Sequence, residues 1–404
     1  MTERKIYYFD NNATTRVAPE VVEAMLPFLR DFWGNPSSAY SFGTYVAAQI
    51  DSAREKVAAL IDADPREVVF TSCGTESNNA VLESALTSQQ GKRHIVTTAV
   101  EHSAIIKHCE LLQKRGVEVT FLPVDPDGLL DLHRLDQSIR HDTALVSIMW
   151  ANNETGVVFP IEEIAAICRS RNVPFHTDAT QVPGKLKIDV RGVGVDFLSL
   201  SAHKLHAPKG VGMLYIRRRA KFQPYLIGGP QERGRRGGTE NAAGIIGFGR
   251  AAELAVANLD DENTRVRALR DRLENTILGA ISNTIRTGAG EPRLPNTSNI
   301  AFDSVEAEGI LMALDQLGIC ASSGSACTTG SLHPSHVLTA MGIKPARAKG
   351  CVRFSLGIYN TDEEVDYVLK HIPGVIARLR AASPHLSHKT REPKHTAEPA
   401  RHAV

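Results

Sequence analysis

The chain has 404 residues, 42% of them hydrophobic, and a formal net charge of +1 at pH 7. That length holds two domains or one large α/β domain around a sizeable core. Nearly balanced charge gives no global field toward nucleic acid or an acidic membrane surface, and no apolar run approaches the length that spans a bilayer.

The opening MTERKIYYFDNN has no apolar h-region and no small-residue cleavage site, so no secretory signal is expected and the cytoplasm is the expected location. From about residue 66 to 216, short β-rich runs recur: EVVFTS, HIVTTAV, VEVTFLPV, ALVSIMWA, VPFHTDA, DFLSLS and GVGMLYIR. Between several of them lie the helix-period segments ESNNAVLESALTS, AIIKHCELLQKRG and PIEEIAAICRSRN. This alternation predicts a mostly parallel sheet with helices on both faces. The last two runs are joined by a short loop, so an antiparallel edge or an inserted antiparallel pair is expected. A polar helix follows over 260–281, its charged face read as solvated. A helix at 305–317, a strand, a Gly/Ser-rich loop and mixed elements to about 383 read as a smaller α+β domain. The stretch 384–404, rich in His, Pro and charge, predicts a disordered tail.

The six cysteines form no C-x-x-C pair and no disulfide framework, which fits a reducing compartment. Cys109, Cys168, Cys320 and Cys351 have apolar neighbours and read as structural. Cys73 and Cys327 lie in glycine-containing turns. Cys327, in ASSGSACTTGS, has nothing nearby to pack against, an unusual setting for a thiol.

Open α/β sheets bind ligands at the carboxyl ends of their strands. In chain order those ends carry Cys73-Gly74-Thr75-Glu76, Glu101-His102, Asn152-Asn153-Glu154, Asp178 with Gln181, and Ser201 with His203 and Lys204. Taken singly, each has a plainer reading: Asp178, Thr75 and Ser201 as helix caps, Lys204 as a solvated lysine, His102 as a core histidine, Asn153 and Gln181 as turn formers. Together they make the inventory that pyridoxal phosphate requires. Its aldehyde needs a lysine, its pyridine nitrogen a carboxylate, and its phosphate a helix N-terminus with hydroxyl or imidazole donors. Its phenolate oxygen needs an amide donor, and its ring a flat side chain to stack on. Lys204, Asp178, Gly74 with Thr75, Ser201 with His203, Asn153 or Gln181, and His102 supply these in turn.

At SLSAHKLHAPKGVGMLY and HTDATQVPGK the chain resembles the cysteine desulfurases of aminotransferase fold type I. The likeness runs from YFDNNATTRVAPEV and GNPSSAYSFG to VRFSLGIYNTDEEVDYVL. QERGRRGGTENAAGIIG and SSGSACTTGSLHPSHVLTAMG are most similar to the NifS/IscS-type branch, and within it to the NifS type. The resemblance implies a seven-stranded, mostly parallel sheet between helices plus a smaller α+β domain. The implied division is a segment 1–15 packing on the smaller domain, a cofactor-binding domain 16–260, a domain 261–383 carrying the cysteine loop, and the tail 384–404.

The implied reaction converts L-cysteine to L-alanine and leaves the sulfur on the enzyme as a persulfide. By the same resemblance Lys204 holds the cofactor and shuttles protons, and His102 stacks on the ring and assists. Asp178 pairs with the pyridine nitrogen, with Gln181 and Asn153 near the phenolate oxygen. Thr75, Ser201 and His203 hold the phosphate, and Thr239 reaches the phosphate of a second subunit, which implies a homodimer. Arg353 matches the substrate-carboxylate arginine, a planar fork suited to that ligand, and Asn35 lies in a block lining the substrate side.

Cys327 then acquires a purpose, since its thiol must take the substrate sulfur and carry it to an acceptor, by resemblance an iron–sulfur scaffold protein. A Gly/Ser loop lets one thiol visit both places. On a scaffold that binds a cluster, the Cys327 sulfur could transiently ligate iron. Nitrogenase assembly and general iron–sulfur assembly both stay open. Three positions depart from the family pattern: Cys73 where glycine is common, Tyr40 where histidine is common, and His333 where glutamate is common.

Rival readings carry less. HKLH and HPSH are His-x-x-His steps in Pro-containing loops without a third ligand. GFGRAA (247–252) fits a dinucleotide fingerprint, but no strand precedes it, and close helix packing accounts for it better. A selenocysteine lyase or other Cβ-lyase shares everything except the demand for Cys327. A non-catalytic scaffold-binding protein is opposed by the intact Lys204, Asp178, His102, Arg353 and Cys327.

Overall fold

The computed structural model describes residues 5–323 and 335–382, so Cys327, His333 and the stretch 384–404 lie outside the described residues. The strands are β1 (Tyr7–Tyr8), β2 (Val68–Thr71), β3 (His94–Thr98), β4 (Glu118–Leu122), β5 (Thr143–Ser147), β6 (Phe175–Asp178), β7 (Phe197–Ser201), β8 (Gly212–Ile216), β9 (Thr284–Arg286), β10 (Thr297–Phe302), β11 (Ile319–Cys320) and β12 (Cys351–Ser355). Seven of them form one sheet in the order β2-β8-β7-β6-β5-β3-β4. Every residue of β2, β3, β5, β6, β7 and β8 is buried, as expected of strands covered on both faces.

All neighbours in this sheet run parallel except β8, which is antiparallel to both β7 and β2. The short connection after β7 therefore leads to an inserted strand and not to an edge. Strands β2, β3, β5, β6 and β7 still point the same way, and their carboxyl ends share one margin of the sheet. The chain is an α/β protein with a large, mostly parallel central sheet.

GFGRAA falls in the helix Ala242–Ala257, which packs on the helices Pro19–Arg30 and Ser41–Leu60. A Cβ added at Gly249 would come within 2.7 Å of Ala53 Cα, and one at Gly247 within 2.7 Å of the Met25 sulfur. The glycines let helices approach closely, so the fingerprint reading falls away.

A second core gathers Phe9, Ile300, Phe302, Val352 and Phe354 with apolar residues of the helices Arg267–Ala280, Ala307–Asp315 and Asp362–Ala382. Its sheet is antiparallel, in the order β12-β10-β9. The start of the chain is stitched to this part: β1 pairs with β11, and Asn11 Nδ2 donates to Ser355 O at 3.0 Å.

The polar helix expected at 260–281 forms as Leu259–Asp261, wider π-helical turns over Glu262–Val266, and Arg267–Ala280. Its charged face is only partly solvated, which corrects the sequence reading. Glu274 is buried and accepts from Arg293 at 3.1 and 3.2 Å and from Ser298 Oγ at 2.8 Å. Arg270 is buried as well and donates to Leu294 O and Thr297 O. These side chains supply partners to Leu294 O, Thr297 O and Ser298 Oγ on the buried approach to β10.

Cys109, Cys168 and Cys351 are buried, and burial pushes each thiol up to about 12; Cys320 is half-buried. Among the described residues no single helix is long and apolar enough to cross a membrane.

Candidate active site

The end of β2 delivers Cys73 and Gly74. Cys73 caps the helix Gly74–Thr87 with φ −175° and ψ 171°, extended backbone that any residue adopts, so the departure from glycine costs no strain. A Cβ built on Gly74 would lie 3.1 Å from Thr180 Oγ1 and 3.5 Å from Ser201 Cβ. The start of this helix, the turn after β6 and the end of β7 thus meet so closely that a methyl group at Gly74 would press on Thr180 Oγ1. Thr180 Oγ1 is buried there with no protein partner. Thr75, next along, is exposed.

Asp178 closes β6 and is 7% exposed. Its Oδ2 accepts from Asn78 Nδ2 at 2.7 Å and its Oδ1 from the Thr180 amide at 3.0 Å, which fixes the carboxylate plane. Gln181 Nε2 donates to Asn12 O at 3.0 Å, and Lys204 Nζ donates to Asn12 O and Ala13 O, each at 2.6 Å. One main-chain oxygen from the N-terminal segment therefore joins the ends of β6 and β7. Ser201 is buried at the end of β7. His203 Nδ1 pairs with Thr14 Oγ1 at 3.0 Å, and burial together with the Lys204 and Lys209 charges pushes its pKa down to about 4.

His102 caps the helix Ser103–Lys114, its Nδ1 accepting from the Ala104 amide at 3.1 Å. Burial holds its pKa below the ordinary value; the Asp178 charge opposes this, while Lys204 and His336 reinforce it. A neutral imidazole that accepts at Nδ1 carries its proton at Nε2. Glu101, beside it, is fully buried, and burial raises its pKa to about 8 against hydrogen bonds from the Met149 amide and Thr98 Oγ1.

Arg353 on β12 is 1% exposed. Its Nη2 meets Asp10 Oδ1 at 2.6 Å, and its Nη1 donates to Asn153 O at 2.8 Å. Its Nε is buried without a partner. The arginine expected to face a substrate carboxylate is thus already paired with a carboxylate of the chain itself. Asn153 enters through its backbone oxygen, which also accepts from Asn12 Nδ2 at 3.1 Å.

The model of the aminotransferase class-V family matches residues 7–368. The chain belongs to the class-V aminotransferases. A cysteine desulfurase of Trichormus azollae is 52% identical to it over 379 residues, 94% of this chain and 95% of that one. The cysteine desulfurase NifS of Azotobacter vinelandii is 52% identical over 381 residues, again 94% and 95%. Among solved structures, a NifS-like protein superimposes with a TM-score of 0.87 at 40% identity, covering 93% of this chain and 100% of its own. A structure titled SspA in complex with cysteine gives 0.77 at 35% identity, over 88% and 99%.

Class-V aminotransferases use pyridoxal phosphate, and the residues here fit it. Asn78 Oδ1, Thr180 Oγ1 and Gln181 Oε1 are all buried without protein partners around Asp178, as polar atoms are when a polar ligand completes them. Gly74, where a Cβ would come within 3.1 Å of Thr180 Oγ1, borders them.

Two residues of this class-V aminotransferase expected at the site make no contact with that cluster. Asn35 is exposed between two helices, its Oδ1 accepting from the Ser37 amide at 2.9 Å. Thr239 is exposed and lines a cavity of about 210 Å³ with Ser72 and Arg236, whose guanidinium pairs with Glu76 at 2.9 Å. Cys327 lies outside the described residues. The sequence reading missed Asp10, Asn12, Asn78 and Thr180. Asn78 alone had a local signal, one helical turn beyond Gly74. Among the described residues no group of three or more His, Cys, Asp or Glu side chains gathers as metal ligands.

Proposed function

We propose that this chain is a cysteine desulfurase that converts L-cysteine to L-alanine and leaves the sulfur on Cys327 as a persulfide, for delivery to an acceptor that builds iron–sulfur clusters. What carries the reading is the meeting of Lys204 and Gln181 on Asn12 O beside the tethered Asp178, in a chain 52% identical to named cysteine desulfurases.

Lys204 would hold the cofactor, Asp178 its ring nitrogen, Gln181 and Asn153 its phenolate side, and Gly74, Thr75, Ser201 and His203 its phosphate. When bound, pyridoxal phosphate supplies an electron sink that lets bonds at the substrate α and β carbons break. Asp178 is oriented for its task by Asn78 and the Thr180 amide. His102 is kept neutral and presents Nε2–H on the side away from Ala104 N, so it can give a proton there and take it back. The Lys204 amine moves the proton at the substrate Cα, a task for which its two carbonyl contacts at Asn12 and Ala13 must loosen. Arg353, already steadied by Asp10, offers its remaining N–H donors to the substrate carboxylate, with Asn35 on the substrate side. The Cys327 thiolate attacks the substrate sulfur, the C–S bond breaks as the S–S bond forms, and the former Cβ takes up a proton to become the methyl group of alanine.

The protein works as a homodimer in which exposed Thr239 serves the phosphate site of a second copy. The part from 261 to 383, with residues 1–15 packed on it, carries the thiol, and the part from 16 to 260 holds the cofactor. It acts in the cytoplasm, consistent with three buried, unbridged thiols. Enzyme loaded with pyridoxal phosphate should release alanine and sulfide in equal amounts from L-cysteine with a thiol reductant, and Lys204→Ala should release neither. Loaded enzyme that forms no alanine would contradict the proposal.

A further inference from the structure

The turn after β5 does more than present Asn153. Glu154 is 3% exposed, and its Oε2 accepts from Ser335 Oγ at 2.6 Å, a buried pair separated by 181 residues. The same Ser335 hydroxyl accepts from the Val337 and Leu338 amides, capping the helix His336–Ala340. A hydroxyl that caps a helix with its lone pairs has its one proton to donate, and here Glu154 receives it. The next residue, His336, pairs through Nε2 with Glu101 O at 2.8 Å, one position before His102. Glu154 is itself fixed, since its amide donates to Asn152 Oδ1 at 2.9 Å and its carbonyl accepts from Asn299 Nδ2 at 3.1 Å.

The other flank of the 324–334 stretch reaches the same turn. Ser322 pairs with Arg353 through both backbone groups, and Arg353 Nη1 donates to Asn153 O. The described residues on either side of the stretch containing Cys327 are therefore referenced to two adjacent residues, one through Arg353 and one through the Glu154 carboxylate. Ser335 and His336 tie the second flank to the turns that carry Asn153 and His102.

We propose that Glu154 is a positioning residue for sulfur transfer, holding Ser335 so that the chain bearing Cys327 departs from a fixed point beside Asn153 and His102. This rests on the reading of Cys327 as the sulfur acceptor. Glu154 touches neither substrate nor cofactor in this role and acts only through Ser335.

The test uses full-length enzyme loaded with cofactor, as wild type, Glu154→Ala, Glu154→Gln, Ser335→Ala, the Glu154→Ala/Ser335→Ala double variant and Cys327→Ser. Two rates are read. Exchange of the α-hydrogen of L-alanine in deuterated water, followed by NMR, needs the Lys204 proton chemistry but no thiol. Alanine formed from L-cysteine needs both. A shift in the origin of a reacting group costs about ten-fold or more in rate, so Ser335→Ala and Glu154→Ala should each lose that much desulfuration while exchange stays near wild type. The double variant should be no worse than either single one, because both remove the same bond. Glu154→Gln, whose amide oxygen still accepts from Ser335, should recover most of the rate. Equal loss of exchange and desulfuration, or full desulfuration in Ser335→Ala, would overturn the proposal and leave the reading of Cys327 intact. Unimpaired desulfuration in Cys327→Ser would overturn both.

Discussion

Replacing Glu101 by Gln should stabilise the protein at alkaline pH and leave it unchanged in mild acid. Glu101 is fully buried; its Oε1 accepts from Thr98 Oγ1 at 2.7 Å and from the Met149 amide at 3.0 Å, while Oε2 has no partner. Burial raises its pKa from 4.5 to about 8, with the Asp178 charge adding to the rise. A carboxyl whose folded pKa exceeds its unfolded value holds its proton more tightly when folded. Its contribution to stability is complete below about pH 4.5 and is lost as pH climbs through about 8. The difference between 8 and 4.5 is about 3.5 units, which at about 1.4 kcal/mol each sets a ceiling of about 5 kcal/mol. Gln keeps an oxygen for Thr98 and Met149 and is neutral at every pH, so it mimics the protonated acid. Urea unfolding followed by circular dichroism at pH 5 and pH 9 provides the assay. The two proteins should unfold at matching urea concentrations at pH 5, and E101Q should be the more resistant by a few kcal/mol at pH 9. Identical pH dependence in both would refute the reasoning.

Glu274→Leu removes the buried carboxylate that meets Arg293 and Arg286, leaving Arg293 only the exposed Glu291, and should cost about 3 kcal/mol, read as a lower urea midpoint. Asp10→Asn leaves the buried Arg353 guanidinium without its carboxylate. KM for L-cysteine should fall as that charge turns to the substrate, and an unchanged KM would separate Arg353 from carboxylate binding. Gly74→Ala should loosen cofactor retention on dialysis, read from the absorbance of the bound group, with little change in melting temperature, because the added methyl presses on a side-chain oxygen, Thr180 Oγ1 at 3.1 Å, while the backbone at Leu200 C stays 4.0 Å away.

The strands of the large sheet were legible because each is a short β-rich run bounded by turn residues, and every one of the seven runs forms a strand. The place of β8 was not, because insertion between β7 and β2 is decided by pairing with β2, some 140 residues earlier in the chain, and not by its own residues. Strand-end chemistry singled out Asp178, Lys204, Gln181 and His102; the structure joins Lys204 and Gln181 on Asn12 O and tethers Asp178 separately through Asn78 and the Thr180 amide. Asn12 escaped notice because its contribution is a carbonyl oxygen, which every residue possesses. Asp10 escaped because its partner Arg353 lies 343 residues away. The same holds for Arg270 and Glu274. Their spacing looks like a solvated helix face, and only the return of the chain at 293–298 covers it.

The central claim is that the sulfur of L-cysteine passes to Cys327. The direct measurement is the mass of the peptide containing residue 327 after brief exposure of the loaded enzyme to L-cysteine and alkylation, alongside alanine formed by wild type and Cys327→Ser with a reductant present. The account predicts an additional sulfur atom on Cys327, alanine from the wild type and almost none from the variant. Equal alanine from both, with no additional sulfur on that peptide, would contradict it.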